Sequence, residues 1–475
     1  MKNSFFVPGN ASRRRWWALA TLLTGNFVVI LDLFIVHVAI PELRRDLAAT
    51  DAQVQLVLAA YAAAYGVGLM NGARLGDMLG RRRMFLWGMA IFTAASLGCG
   101  LSPTANALIL ARIVQGAGAA LLMPQVLASI RLLFDAEERA TAFAVMGAVQ
   151  GAAATASQLL GGWFITYAPG ELGWRMVFLI NVPVGVLALA FGRRLPEFVL
   201  EPARLDIKGA LAGLAGMALL MVPVMLGREH GWPWWSWSLP LLSLAFWGGF
   251  LSYERRLQAA GGLPLFDVAL LRNRPFLAGA CGFFLFYSAI SSFFLALTLL
   301  LQGGLHLSPL TAGAIFTPSA IAFFAGSMVA PRLRGALGGK TLYAGLLIFI
   351  AGLALAVWVG ANRPAALGWL ALALILNGFG QGMAIPAALG SLLGRVRDSQ
   401  AGVAAGLVST LQALGNATGV TIVGVILFAQ LARVPGESAS EYGAALAWAT
   451  LYNLSAAGAS LMLFRYMLNT RREGD

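Results

Sequence analysis

The sequence predicts an all-α polytopic membrane protein, with fourteen transmembrane helices arranged 6+2+6 as two pseudo-symmetric bundles. Three observations predict it. Apolar runs near 20 residues recur along the whole chain, and each can cross roughly 30 Å of hydrocarbon as a helix. Charged residues are 11% of the chain against 59% hydrophobic, where a soluble domain is about one quarter charged. A segment of the first half also recurs in the second, which marks a duplicated helical unit.

The spans are taken in chain order. Residues 1–15 form a tail that ends in Arg13 to Arg15, and the first span, 16–40, opens with Trp16 and Trp17 at the membrane interface. That run is too long for a cleavable signal and follows an arginine triplet, so it reads as a start helix. Spans 53–72, 84–101, 106–128, 140–163 and 175–192 complete a first bundle over 16–192. Residues 193–275 are a linker carrying two inserted spans, 208–226 and 236–253. Spans 276–300, 309–330, 342–360, 366–388, 401–430 and 445–466 make a second bundle over 276–466, followed by the tail 467–475. The breaks are short and rich in Gly, Pro and Arg, and none holds a soluble domain.

The repeat is carried by "QGAGAALLMP" (115–124) and "NGFGQGMAIP" (377–386), in which Gly116, Gly118 and Pro124 face Gly378, Gly380 and Pro386. A weaker echo joins "ARLGDMLGRRR" (73–83) to "PRLRGALGGKT" (331–341). Similar offsets at two places make spans 1 to 6 and 9 to 14 the two copies. Parallel halves of this kind hold a substrate cavity between them near the membrane midplane.

The net charge of +13 does not point to nucleic acid. Most Lys and Arg lie in the tails and the even-numbered loops, as the positive-inside rule requires. Both termini and the Arg81–Arg83 loop are therefore expected in the cytoplasm. Cys99 and Cys281 both fall in predicted helices, so no disulfide framework or thiol metal site is implied. His230 and His306 fall in outer loops, and nothing suggests a metal.

Several motifs resemble those of the major facilitator superfamily. "ARLGDMLGRRR" resembles its loop 2–3 signature, carried here by Leu75, Asp77, Gly80, Arg81 and Arg82, with Ala73 in place of the first Gly. "LILARIVQGAGAA" (108–120) resembles its helix 4 motif through Arg112, Gln115, Gly116 and Gly118. "DLFIVHVAIP" (32–41) and "WRMVFLINVPVG" (174–185) resemble the 14-helix drug:proton antiporter branch. Two positions depart from it. His37 stands where that branch has Asn. In "SQLLGG" (157–162), Ser157 and Gln158 replace the Gly-Pro of the antiporter motif, while Gly161 and Gly162 remain.

Asp32 is the acidic residue placed well inside a predicted helix, roughly 6 Å from the centre of span 1 at 1.5 Å per residue. Hydrocarbon opposes the charge of a carboxylate, so a carboxyl there can bind and release a proton. The plain alternative is a structural carboxylate satisfied by its neighbours. Arg112 is the basic residue deep in a helix, and the resemblance implies a part in proton transfer or in holding the core network. An Asp32–Arg112 pair is open at this stage, and it would oppose proton uptake by holding the carboxylate charged. His37 lies about 140° around the helix from Asp32 and does not share its face. It is a further proton-coupling candidate, or a simple hydrogen-bonding group near the outer end.

Asp77, Gly80, Arg81 and Arg82 are expected to gate the cytoplasmic side. A carboxylate is stabilised at a helix N-terminus, and the expected partner is the start of span 13 near "RDSQAG" (397–402), where Ser399 is a cap candidate. Phe283, Tyr287 and Ser291 share one helix face and suit a cavity for amphipathic organic molecules. Asn377 and Gln381, among glycines, suit a cavity wall or a helix contact. Gln158 faces either the cavity or a neighbouring helix.

These readings converge on a secondary transporter, not an enzyme. It is expected to export a small organic molecule in exchange for protons, without cofactor or metal, as a monomer in the bacterial inner membrane. One proton gains about 2.3 kcal/mol per 100 mV and about 1.4 kcal/mol per pH unit, enough for a solute gradient on the order of 10²-fold. No GxxxxGK[ST] loop serves ATP, and no HExxH or GxSxG motif serves hydrolysis. The rivals are a proton symporter or facilitator importing a metabolite, and a lipid-linked flippase, which needs a more basic cavity.

Overall fold

The computed structural model describes residues 11–168, 172–197, 207–259, 273–396, 401–432 and 438–470. Among these the regular structure is helical. The helices are α1 (Ala11–Asp46), α2 (Asp51–Leu79), α3 (Arg81–Gly100), α4 (Ala105–Leu133), α5 (Ala136–Tyr167), α6 (Leu172–Leu179), α7 (Asn181–Gly192), α8 (Ile207–Glu229) and α9 (Trp235–Ala259). The second half adds α10 (Arg274–Leu299), which runs into a π turn (Leu300–Gly304), then α11 (Pro309–Leu337), α12 (Lys340–Asn362), α13 (Leu367–Leu393), α14 (Ala401–Leu431) and α15 (Ala439–Asn469).

Each expected span falls on a described helix, with one difference in form. Span 6 is two helices, α6 and α7, joined at Ile180. Pro183 has no N–H to offer the carbonyl of Leu179, so the hydrogen-bond ladder is interrupted there. The break frees Asn181 to turn inward, where it is fully buried. Nine helical runs among the described residues are long and apolar enough to cross a membrane. α9 runs past its expected end, so Glu254, one residue beyond the predicted span, is also buried.

The pairing of helices in the first half returns in the second. α2 and α3 pack on α4, as α11 and α12 pack on α13. α1 packs on α5, as α10 packs on α14. Lipid gives no hydrophobic drive between helices, so close backbone contact holds them together. A side chain at Gly118 of α4 would meet Phe92 N at 2.6 Å, and one at Gly380 of α13 would meet Phe349 N at 2.4 Å. These repeated glycines therefore sit where α4 presses on α3 and α13 on α12.

The halves meet through α2 with α14 and α5 with α11. The contact of α2 with α14 runs from Gln55 and Gly424 to Gly66 and Ala413, midway along both helices, while that of α5 with α11 includes the end of α5 and the start of α11. Phe34 of α1 lies 5.8 Å from Phe294 of α10. Gln302 of the π turn donates to Val38 O of α1 at 3.0 Å. A side chain at Gly162 of α5 would meet Pro309 O and Leu310 Cα, each at 2.6 Å. Nearer the start of α5 the surroundings open: side chains at Gly147 and Gly151 would meet nothing within 4 Å. α8 and α9 pack together, and α8 leans on α2 and α14, where Met221 joins a cluster with Ala59, Ala63 and Leu414.

Candidate functional site

The polar centre of the first half is built on α4. Arg112 and Gln115 are three residues apart and share a face of the helix. Opposite them, α1 presents Asp32, which is completely buried. Arg112 Nη1 donates to Asp32 Oδ2 in a direct ion pair. The other carboxylate oxygen, Oδ1, accepts from Gln115 Nε2 at 2.7 Å and from Asn181 Nδ2 of α7 at 2.9 Å. Gln115 is held in turn by Ser96 Oγ of α3 at 2.8 Å. Asp32 thus receives hydrogen bonds at both oxygens, the condition under which a buried charge is tolerated.

Arg112 has partners beyond Asp32. Its Nε donates to Val57 O at 3.0 Å and its Nη1 to Gln115 Oε1 at 2.7 Å. Its guanidinium lies 4.2 Å from the centre of the Tyr61 ring and 5.7 Å from that of Phe178. Tyr61 stacks on Tyr65, ring centres 6.2 Å apart. The pair left open by the sequence is therefore formed, within a network that draws on α1, α2, α3, α4, α6 and α7. Asn181, Ser96 and Tyr61 were not singled out beforehand. Asn181 lies within a quoted motif, but its approach to Asp32 depends on the break at Ile180.

His37 stands apart from this network. It is buried, and its Nδ1 lies 3.3 Å from Phe34 O on its own helix. Gln158 is also buried, and its Nε2 donates to the same Phe34 O at 3.4 Å. Gln158 therefore sits on the seam between α5, α1 and α11. α5 itself runs unbroken through Ser157 and Gln158.

The α2–α3 connection is clasped from an unexpected direction. Asp77 pairs with Arg81, one turn further along. The carboxylate at the start of α3 belongs to Glu197, whose Oε1 accepts from Arg82 N at 3.0 Å while its Oε2 lies 3.3 Å from Arg82 Nε. Gly80 has φ +99°, and a side chain there would meet Glu197 Oε1 at 2.4 Å. A glycine is required on both counts. Asp77 was expected at the N-terminus of span 13; among the described residues it pairs with Arg81 through Oδ1. The expected partner residues 397–400, Ser399 included, lie outside the described residues.

In the second half, Phe283 and Tyr287 are buried with ring centres 4.8 Å apart. Ser291 donates to Asn416 Oδ1 of α14 at 2.8 Å. Gln381 donates to Asn377 within α13, and a side chain at Gly352 of α12 would meet Asn377 N at 2.7 Å. Asn377 therefore lies at the α12–α13 contact, the helix-packing alternative for this pair. Asn453 of α15 accepts from Ser292 of α10 at 2.8 Å. Ser291, Ser292, Asn416 and Asn453 are uncharged, unlike the polar centre of the first half.

Comparison with known proteins supplies the context. A family model described as Major Facilitator Superfamily matches residues 22–420. A protein of Streptomyces coelicolor named "Probable actinorhodin transporter" is 34% identical over 94% of this chain and 78% of its own length. A puromycin resistance protein of Streptomyces alboniger is 36% identical over 87% of this chain and 82% of its own. A cephamycin export protein of Amycolatopsis lactamdurans is 32% identical over 93% and 90%. Among solved structures, a bacterial homologue of the lysosomal transporter Spinster, inward-facing and unoccupied, superposes with TM-score 0.66 at 14% identity, over 97% of this chain and 99% of that one. A bacterial homologue of human drug peptide transporters superposes with TM-score 0.64 at 16% identity, over 96% and 97%. These two likenesses are of fold.

Proposed function

The chain belongs to the major facilitator superfamily, and from that premise we propose that this efflux transporter is driven by protons that bind and leave Asp32. It resides in a bacterial membrane and exports small organic molecules of the antibiotic and drug-like class, the class for which its relatives are named. The finer reading has fourteen crossings in a 6+2+6 order, both termini in the cytoplasm and a single chain as the working unit. The returning helix pairs and the seat of α8 on the α2–α14 seam support the two-bundle division. The arginine-rich loops support the orientation.

One observation carries the coupling: Asp32 is fully buried, its charge held by Arg112 and two amides, so a proton that binds it must displace the ion pair and thereby changes the contact between α1 and α4. A proton on Asp32 removes the charge that Arg112 faces. Arg112 then keeps Val57 O, Gln115 Oε1 and the Tyr61 ring, so the network survives neutralisation of one member. The stack of Tyr61 on Tyr65 passes that change along α2, the helix that meets α14 across the halves. With the halves closed at the outer ends of α5 and α11 and open near Gly147 and Gly151, the conformation faces the cytoplasm. The clasp of Glu197 on Gly80 and Arg82, beside the Asp77–Arg81 pair, holds the α2–α3 connection in this cytoplasm-facing form and must rearrange when the cytoplasmic side closes.

Symport is the second reading, and Ser157–Gln158 in place of Gly-Pro favours it. Everted vesicles energised by respiration separate the two across a panel of candidate compounds. An exported compound added outside should raise the internal pH as protons leave. Intact cells that take up the same compound and acidify would establish symport.

A further inference from the structure

The seam between the halves holds two buried polar atoms that have no hydrogen-bond partner among the described residues. His37 Nδ1 and Gln158 Nε2 both address the carbonyl of Phe34, at 3.3 and 3.4 Å. A carbonyl only accepts, so both nitrogens carry the hydrogens. The atoms left over, His37 Nε2 and Gln158 Oε1, are then both acceptors. Each is buried and without a hydrogen-bond partner, a condition uncommon in folded proteins. They cannot satisfy one another, because neither has a hydrogen to give.

The described side chains that wall them are apolar, and the amide of Gln302, which reaches α1 beside them, is engaged by Val38 O. Phe34 stands 5.8 Å from Phe294, and Phe294 stacks on Phe316 at 5.2 Å. Ile35 and Val38 pack on Gly161, and Gly313 of α11 lies against the backbone of Gln158. This is an aromatic and aliphatic wall with two acceptors set into it, shared by α1, α5, α10 and α11. Both existing hydrogen bonds are longer than the usual 2.7–3.2 Å range, so they hold ring and amide only weakly against a better donor. Separation of α5 from α11, which opening at this end demands, uncovers both atoms together.

We propose that His37 and Gln158 form an exit-side subsite that accepts hydrogen bonds from hydroxyl or amine groups of a polycyclic aromatic substrate. The inference rests on the export reading and adds to it a required feature of the substrate. A flat aromatic body lies against Phe34, Phe294 and Phe316, while its donor groups satisfy the two acceptors as the halves part. Gain of these bonds favours the open form only when a donor-bearing molecule is present.

The test uses purified full-length protein and two probes, 2,6-dihydroxyanthraquinone and its 2,6-dimethoxy ether, with binding read by quenching of tryptophan fluorescence. The dihydroxy compound should bind about tenfold more tightly, the worth of a satisfied hydrogen bond or two. Gln158→Met and His37→Phe should each weaken it several-fold, and the double variant should bind both probes alike. The dimethoxy probe should lose less than the dihydroxy probe in each variant, and an unchanged thermal unfolding midpoint reports correct folding. Equal affinity of the wild-type protein for the two probes overturns the proposal and leaves water as the donor the acceptors meet. A preference that survives the double variant, or equal loss of both probes, overturns it too. Failure of the export reading shows itself separately, as absence of gradient-driven movement of either probe in vesicles with the binding preference intact.

Discussion

The guanidinium of Arg112 lies over the Tyr61 ring, 4.2 Å from its centre. This face-on contact lets Arg112 remain in place whether or not Asp32 is charged. A cation over an aromatic face is worth about 0.5–2 kcal/mol, the upper end when desolvated. Tyr61→Phe keeps the ring and should transport at close to the wild-type rate. Tyr61→Leu removes it and should slow gradient-driven export about tenfold. Export rates of the two variants in vesicles check the difference; equal rates would remove Tyr61 from the coupling path.

The Asp32–Arg112 pair should behave as a unit in stability. Arg112→Met leaves a carboxylate buried with amides for company and should destabilise the purified protein by about 3–5 kcal/mol. The double variant Asp32→Asn, Arg112→Met removes both charges and should recover most of that loss. Thermal unfolding of the three proteins in one detergent gives the answer. A double variant no more stable than Arg112→Met would mean that the pair is not what Arg112 contributes.

Gly162 fixes how closely α5 approaches α11, with Pro309 O and Leu310 Cα each 2.6 Å from where a side chain would begin. Gly162→Val should therefore hold the outer ends apart and favour the opposite conformation. A cysteine at Gly151, where the surroundings are open, reports the change. Gly151→Cys should label readily from the cytoplasmic side alone and several-fold more slowly when Gly162→Val is added. Unchanged labelling would show that this contact does not govern closure.

The sequence made some of this arrangement legible and hid the rest for physical reasons. Asp32 and Arg112 stood out because a charge in an apolar run is costly and therefore conspicuous. Gly118 and Gly380 stood out through the repeat, and the structure places both at the tight contacts of α4 on α3 and α13 on α12. Asn181 did not, since a single amide within an apolar run has no signature until Pro183 interrupts the ladder beside it. Glu197 lies in a linker, 115 residues along the chain from the amide of Arg82 that it binds, and no local pattern joins the two. Tyr61 reads as an ordinary core aromatic. Phe283, Asn377 and Gln381 share apolar periodicity with lipid-facing, packing and cavity positions alike, so their faces became known only from the fold.

Glu197 and Asp77 should act on the same clasp through different arginines. Glu197→Gln keeps the size but weakens two charge-assisted contacts with Arg82, and Asp77→Ala frees Arg81. Each should change the rate of conformational exchange several-fold while substrate affinity stays near wild type, because the described partners of both are arginines of the α2–α3 connection. Labelling kinetics of Gly151→Cys alongside equilibrium binding separates the two quantities. A loss of affinity without a change in labelling would contradict a gating role.

The most direct measurement of the central claim is substrate-induced proton release in everted vesicles carrying either wild-type protein or Asp32→Asn. The substitution is close in size and its one carbonyl oxygen still accepts from Arg112, while its amide nitrogen replaces an acceptor, so retained binding of the compound is the check that the protein has inserted and folded. Wild-type vesicles, acidified inside by respiration, should become more alkaline when an exported compound is added, and should accumulate it against its gradient. Asp32→Asn vesicles should show neither response while still binding the compound. Proton release and uphill accumulation by Asp32→Asn at wild-type rates would contradict the assignment of Asp32 as the coupling carboxylate.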